Sequence, residues 1–184
     1  MSSAPSPADQ LGALSARVDA FFVRVQAAHP SAMQCRRGCS TCCQRDLRLL
    51  PVEWRRVAEA VEALPPDDRN AIRAAIDMPA QSSAADRCVL LAPDGSCRVF
   101  AARPLVCRSH GLPIRLEGHR TTCALNFPGT LETVPEADVL DQGQLSVVAG
   151  LIDRLTPAAP EAAATPRDAD GRVPVDAGLR ALLR

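Results

Sequence analysis

Four cysteines crowd into nine residues, Cys35-Arg-Arg-Gly-Cys39-Ser-Thr-Cys42-Cys43, a C-x3-C-x2-C-C run that limits what this segment can become. Spacings of two and three residues let successive thiolates converge on one ion, because the chain reverses direction between them. Gly38, just before Cys39, supplies the backbone freedom that such a reversal requires. The stretch 33–44 has no usable period and reads as a loop wrapped on a metal. Adjacent residues tend to point differently, so one of Cys42 and Cys43 is expected to serve a second site or act as a free thiolate. Cys88, Cys97, Cys107 and Cys123 supply the distant ligands that close the shell. Eight cysteines in 184 residues are too few for a disulfide-dense miniature scaffold and too many for incidental core thiols.

The compartment decides what those thiols do. No basic residue precedes Arg17, Asp9 sits where a signal would be uncharged, and Phe21-Phe22-Val23 is the contiguous bulky apolar run on offer. A secretory signal is therefore not expected, and the chain reads as cytoplasmic, where thiols stay reduced. No apolar run approaches the roughly 20 residues of a membrane span, which excludes an integral membrane role. The 21 basic and 21 acidic residues cancel, which argues against a nucleic-acid or membrane-surface binder. Every basic residue is arginine, so lysine Schiff-base chemistry is excluded. Segments 35–56 and 87–120 each hold six arginines against two acidic residues. Both carry cysteines, and nearby arginine favours thiolates and offsets the charge of a multi-thiolate centre.

Along the chain, 1–7 is expected to be a disordered leader, 8–156 a cysteine-cluster metal-binding domain, and 157–184 a linker with a marginal terminal helix. Leu11, Leu14, Val18, Phe21, Val25 and Ala28 recur at helical spacing over 8–28, ending at His29-Pro30. Leu47, Leu49 and Leu50 suggest a short strand, and Pro51 opens a helix carrying Trp54, Val57, Val61 and Leu64. A shorter helix is predicted over 68–77, with Ile72 and Ile76 as its apolar pair. Turns are expected at Pro93-Asp94-Gly95 and, between strands at 112–115 and 120–123, at Glu117-Gly118-His119. A helix over 136–155 would be buried through Leu145, Val148, Leu151, Ile152 and Leu155. In the tail, Pro157, Pro160 and Pro166 interrupt any helix, which predicts that 157–184 is dispensable for metal binding. Leu179, Leu182 and Leu183 could still dock through one face of a short helix. The fold class expected is a small α-rich α+β protein, with helices packed around an irregular cysteine-rich metal-binding core and short β-hairpins.

The C-x3-C-x2-C-C run, followed by Cys88 and by Cys97-Arg-Val-Phe-Ala-Ala-Arg-Pro-Leu-Val-Cys107-Arg, resembles the YkgJ-type CxxCxxCC cysteine-cluster family of bacterial proteins. The resemblance covers roughly 35–127 and is most specific at Arg103-Pro104-x-x-Cys107-Arg108 preceded by Cys97. The family's aromatic usually follows the equivalent of Cys97 by two positions; here Val99 stands there and Phe100 comes next. The resemblance implies chelation of zinc or iron, in some members as an iron–sulfur cluster, with electron transfer or metal handling as the extension.

His110, three residues after Cys107, is a candidate nitrogen ligand, although eight cysteines already fill two four-coordinate shells; His29 and His119 carry no ligand spacing. Arg103 and Arg108 either hydrogen-bond thiolate sulfurs or form salt bridges that pin their loop. No catalytic residue stands out. Three rivals remain. The first is a non-enzymatic adaptor with a structural zinc. The second is a radical S-adenosylmethionine enzyme using Cys35, Cys39 and Cys42, against which stand Thr41 in place of an aromatic and the lack of alternating strand–helix units. The third is a thiol oxidoreductase, for which no C-x-x-C opens a helix in a strand–helix–strand setting.

Overall fold

The computed structural model describes residues 4–36, 38–78, 86–157 and 165–184. The chain forms two compact units, each assembled from two separate stretches of sequence. The described residues contain six α-helices and sheets of two and three short strands, a small helix-rich α+β fold. No helix among them is long and apolar enough to cross a membrane.

The first unit takes residues up to 36 and 105–155. Helix α1 (Pro7–Ala28) begins where Ser6 Oγ accepts from the Asp9 N–H and the Asp9 carboxylate accepts from the Ser6 N–H. Part of the expected leader is thus the cap of a helix, while residues 1–3 lie outside the described residues. Helix α1 packs on the short α4 (Leu105–Ser109) and on α5 (Gln142–Leu155). A three-stranded sheet orders β3 (His119–Thr121), β2 (Ile114–Leu116) and β4 (Leu140–Asp141), with β2 antiparallel to β3 and parallel to β4. Glu117 and Gly118, both at positive φ (50° and 82°), make the two-residue turn of the β2–β3 hairpin, and His119 already belongs to β3. Val25, Met33, Leu112, Phe127 and Val134 form the core of this unit.

The helix expected over 136–155 starts later, at Gln142. Residues Glu136–Asp138 form a 3-10 turn, and the Leu140 N–H donates to the Pro113 carbonyl (2.9 Å), which commits Leu140 and Asp141 to the sheet. Asp141 Oδ1 then accepts from the Gln144 N–H at 2.8 Å and serves the new helix start. The buried stripe of α5 is Leu145, Ala149 and Ile152; Val148, Leu151 and Leu155, expected inside, are exposed.

The second unit takes residues 37–104 and 156–184. Its helices α2 (Pro51–Glu62) and α3 (Pro66–Ile76) each start on a proline, whose fixed φ suits the first turn. Strand β1 (Arg48–Leu49) pairs antiparallel with β5 (Val173–Pro174), from which α6 (Val175–Leu182) leads directly. The core joins Trp54, Val57, Val61, Ile72 and Ile76 to Val89, Leu90 and Val99, and to Val173, Val175, Leu179 and Leu183 of the tail. Gly178 of α6 lies against the Trp54 ring: a Cβ there would stand 2.7 Å from Cζ2 and Cη2. A helix too short to persist by itself is held by this packing. Residues 165–184 therefore complete a core rather than trail from one, and 158–164 of the expected linker lie outside the described residues.

Candidate metal centre

All eight cysteines are reduced and partly buried, and they divide between the two units. Cys39, Cys42, Cys43, Cys88 and Cys97 belong to the second, while Cys35, Cys107 and Cys123 belong to the first.

In the second unit, backbone pairing gathers the thiols. The cysteine run turns between Ser40 and Cys43 (Cys43 N–H to Ser40 carbonyl, 3.0 Å), and Gly38 supplies φ +84° just before it. Segment 43–45 then lies antiparallel to 86–88: Cys88 N–H donates to the Cys43 carbonyl at 2.9 Å, and Arg45 N–H to the Asp86 carbonyl at 3.0 Å. The Arg87 guanidinium donates to Ser40 Oγ across the same strip. Cys97 returns beside Leu91 on a tight turn with Gly95 at φ +78°, held by Asp94 Oδ1 accepting from the Ser96 N–H (2.9 Å) and hydroxyl (2.6 Å).

The electrostatics follow from that crowding. A hydrogen bond with Cys43, then burial, then the charge on Cys43 drive the Cys42 thiol above the ordinary range. Burial, with added repulsion from Cys97, Asp176 and Cys42, pushes Cys88 up to about 11. Burial also raises Cys97, opposed by the Val99 backbone and the Arg103 guanidinium. Thiols this close resist joint ionisation unless positive charge arrives. Arg103 supplies some of it; its guanidinium lies 3.5 Å over the Phe100 ring, and its Nε donates to the Phe100 carbonyl (3.0 Å).

In the first unit the sulfur of Cys35 meets the backbone of Gly111, where a Cβ would stand only 2.5 Å away. Asn126 Nδ2 donates to Cys35 Sγ at 3.2 Å and to the Gly111 carbonyl at 2.7 Å. Cys123 accepts the Asn126 N–H on its carbonyl (2.8 Å), and Cys107 lies within α4. Arg108 is buried in an ion pair with Asp19 of α1, so of the two arginine alternatives this residue takes the salt bridge. His29 pairs with Asp138 at 2.8 Å and meets Phe127 edge-on; His119 opens β3, opposite Leu116. His110 follows α4, and burial lowers its pKa.

Among the described residues, no three His, Cys, Asp or Glu side chains are arranged to hold an ion. The thiols are gathered but not preassembled. Residues 34–124 match the family model CxxCxxCC, whose description is "Putative zinc- or iron-chelating domain". Through that stretch the chain belongs to the CxxCxxCC family. No curated protein and no solved structure matches it. The CxxCxxCC stretch contains all eight cysteines and ends before Asn126.

The donor chemistry of this CxxCxxCC domain fits the metals that its description names. Thiolates are soft ligands suited to zinc and to iron in sulfur coordination. A divalent ion would supply the positive charge that Cys42, Cys88 and Cys97 lack. Two contributors escaped sequence reasoning, Gly111 and Asn126. An isolated glycine and an isolated asparagine carry no spacing signal; the asparagine's place three residues after Cys123 was the available hint.

Proposed function

We propose that the protein is a cytoplasmic zinc- or iron-binding protein that draws its ligands from Cys35, Cys39, Cys42, Cys43, Cys88, Cys97, Cys107 and Cys123. The observation that carries this reading is the hydrogen-bonded apposition of Cys43 and Cys88 at 2.9 Å, which seats two cysteine-bearing loops side by side with Cys42 and Cys97 near them. Ionising such a grouping has a high electrostatic cost without a cation and a low one with it. Iron held in a cluster would bring one-electron chemistry suited to electron transfer, whereas zinc would bring none, leaving metal handling. The chain's own contribution is to orient the thiols by backbone pairing and to offset their charge with Arg103.

A second reading, a non-enzymatic adaptor with a structural zinc, is favoured by the sparse pairing of the loops. The contacts of 43–45 with 86–88, and of Leu91 with Cys97, are single bridges rather than ladders, so a metal there would act as a staple. Anaerobic purification followed by elemental analysis and a visible spectrum tests both. A brown protein that bleaches in air supports an iron–sulfur centre, and a colourless zinc protein supports metal handling or the adaptor. Metal-free protein that is fully folded and indifferent to chelators overturns metal binding altogether.

A further inference from the structure

Asn126 is 2% exposed, and its side chain is held at both ends. Its Oδ1 accepts from the Gln34 N–H at 2.8 Å. Its Nδ2 spends one hydrogen on the Gly111 carbonyl (2.7 Å) and directs the other at Cys35 Sγ (3.2 Å). The orientation of the carboxamide is forced: reversing it would set an oxygen against the Gly111 carbonyl and an NH2 against the Gln34 N–H. A donor therefore always faces the sulfur. Gly111, at φ +92°, completes the cradle, since any Cβ would occupy the space of Sγ. Gln26 Nε2 donates to the Cys35 carbonyl at 2.8 Å and fixes the backbone on the other side.

A neutral thiol is a weak acceptor, and fixing a buried amide N–H on it gains little. A thiolate, free or on a metal, accepts such a bond strongly. Donors of this kind orient ligands and tune the metal that they hold. We propose that Asn126 is a positioning residue for Cys35, presenting its sulfur to the bound metal and supporting its charge. This rests on the metal-binding reading above and extends it to a residue beyond the matched stretch 34–124.

The test uses the full chain, with zinc as the probe. Zinc affinity is measured by competition with a chromophoric chelator, and cysteine protection by alkylation of the zinc-loaded protein and mass spectrometry. Asn126→Ala removes the whole carboxamide; Asn126→Asp keeps an acceptor for Gln34 but replaces the donor facing sulfur, so that one variant serves if the other fails to fold. Thr122→Val is the control, since Thr122 Oγ1 also donates to the Gly111 carbonyl (3.1 Å) without being placed on the sulfur.

The expected result is roughly a 10–100-fold loss of zinc affinity in the Asn126 variants, the range seen for groups that support a metal ligand. Cys35 alone should become alkylated, and Thr122→Val should behave as wild type. The proposal is overturned if the Asn126 variants keep wild-type affinity with Cys35 protected, if Thr122→Val loses as much, or if all cysteines open together. Wild-type protein that takes up neither zinc nor iron would instead overturn the metal-binding reading, and this proposal with it.

Discussion

The carbonyl oxygen of Gly38 stands 2.8 Å from the point that a Cβ on Gly95 would occupy. The turn inside the first cysteine run and the turn before Cys97 are therefore packed backbone to backbone, a contact that only glycine at position 95 permits. Gly95→Ala should destabilise the second unit by roughly 2–3 kcal/mol, from left-handed strain and overpacking together. Gly171→Ala is the matched control. It has a similar φ of +74° with nothing within 4 Å of its Cβ, and should cost only the strain, about 1 kcal/mol. Urea unfolding of both variants checks the difference.

Leu179 is fully buried among residues of α2, α3 and the 88–99 loop. Leu179→Ala should cost about 2–5 kcal/mol, as for other buried leucines. Gly178→Ala should also destabilise: the roughly 1 kcal/mol that alanine gains in a helix is outweighed by a contact 2.7 Å from the Trp54 ring. Trp54 is the only tryptophan, so its fluorescence follows this unit directly. Wild-type stability in both variants would mean that α6 is a dispensable appendage.

Asp138 accepts from His29 and pairs with Arg24 of α1. The His29 hydrogen bond chiefly, with Arg24 assisting against burial, holds its carboxyl below the usual carboxylate range. A depressed folded-state pKa means that the stabilisation is present above the unfolded value, near 3.9, and is lost as pH falls through the folded one. The stability gap between wild type and Asp138→Asn should thus persist down to about pH 4 and close only below it. Thermal unfolding across an acid pH series measures this; a gap that closes near neutrality would refute it.

Bound metal should stabilise the folded chain by mass action, by about 4 kcal/mol at a thousandfold excess over its dissociation constant. Chelation should lower the melting temperature accordingly. Serine replacement of Cys39 or Cys107 should release more metal than replacement of Cys123, since Cys39 is central in the C-x3-C-x2-C-C run and Cys107 lies in the most family-specific stretch. Elemental analysis of the three variants decides the ranking.

Much of the local structure was legible in the sequence because it is local physics. The spacing Leu11, Leu14, Val18 gave α1, Pro51 marked the start of α2, and Glu117-Gly118 fell in the expected hairpin turn, whereas α3 starts at Pro66, two residues before the expected Asp68. What stayed hidden depends on distant partners. Helix α6 looked marginal because nothing near it in sequence announces Trp54, whose ring lies over Gly178. The start of α5 moved because Leu140 finds Pro113 across the sheet. The cysteine run was plain from its spacing, whereas the cradle of Cys35 depends on Gly111 and Asn126, reached only when the 105–155 segment folds back on 4–36.

The two units are interleaved along the chain, 4–36 with 105–155 and 37–104 with 156–184. Neither can be excised as a continuous fragment, and neither is finished when its first half leaves the ribosome. Cys88 and Cys97 pack against a core that Val173, Val175, Leu179 and Leu183 complete. During synthesis these thiols emerge about eighty residues before the segment that closes over them. For that interval they stand open to the surrounding medium, so the nascent chain meets metal ions and oxidants before its fold can choose between them.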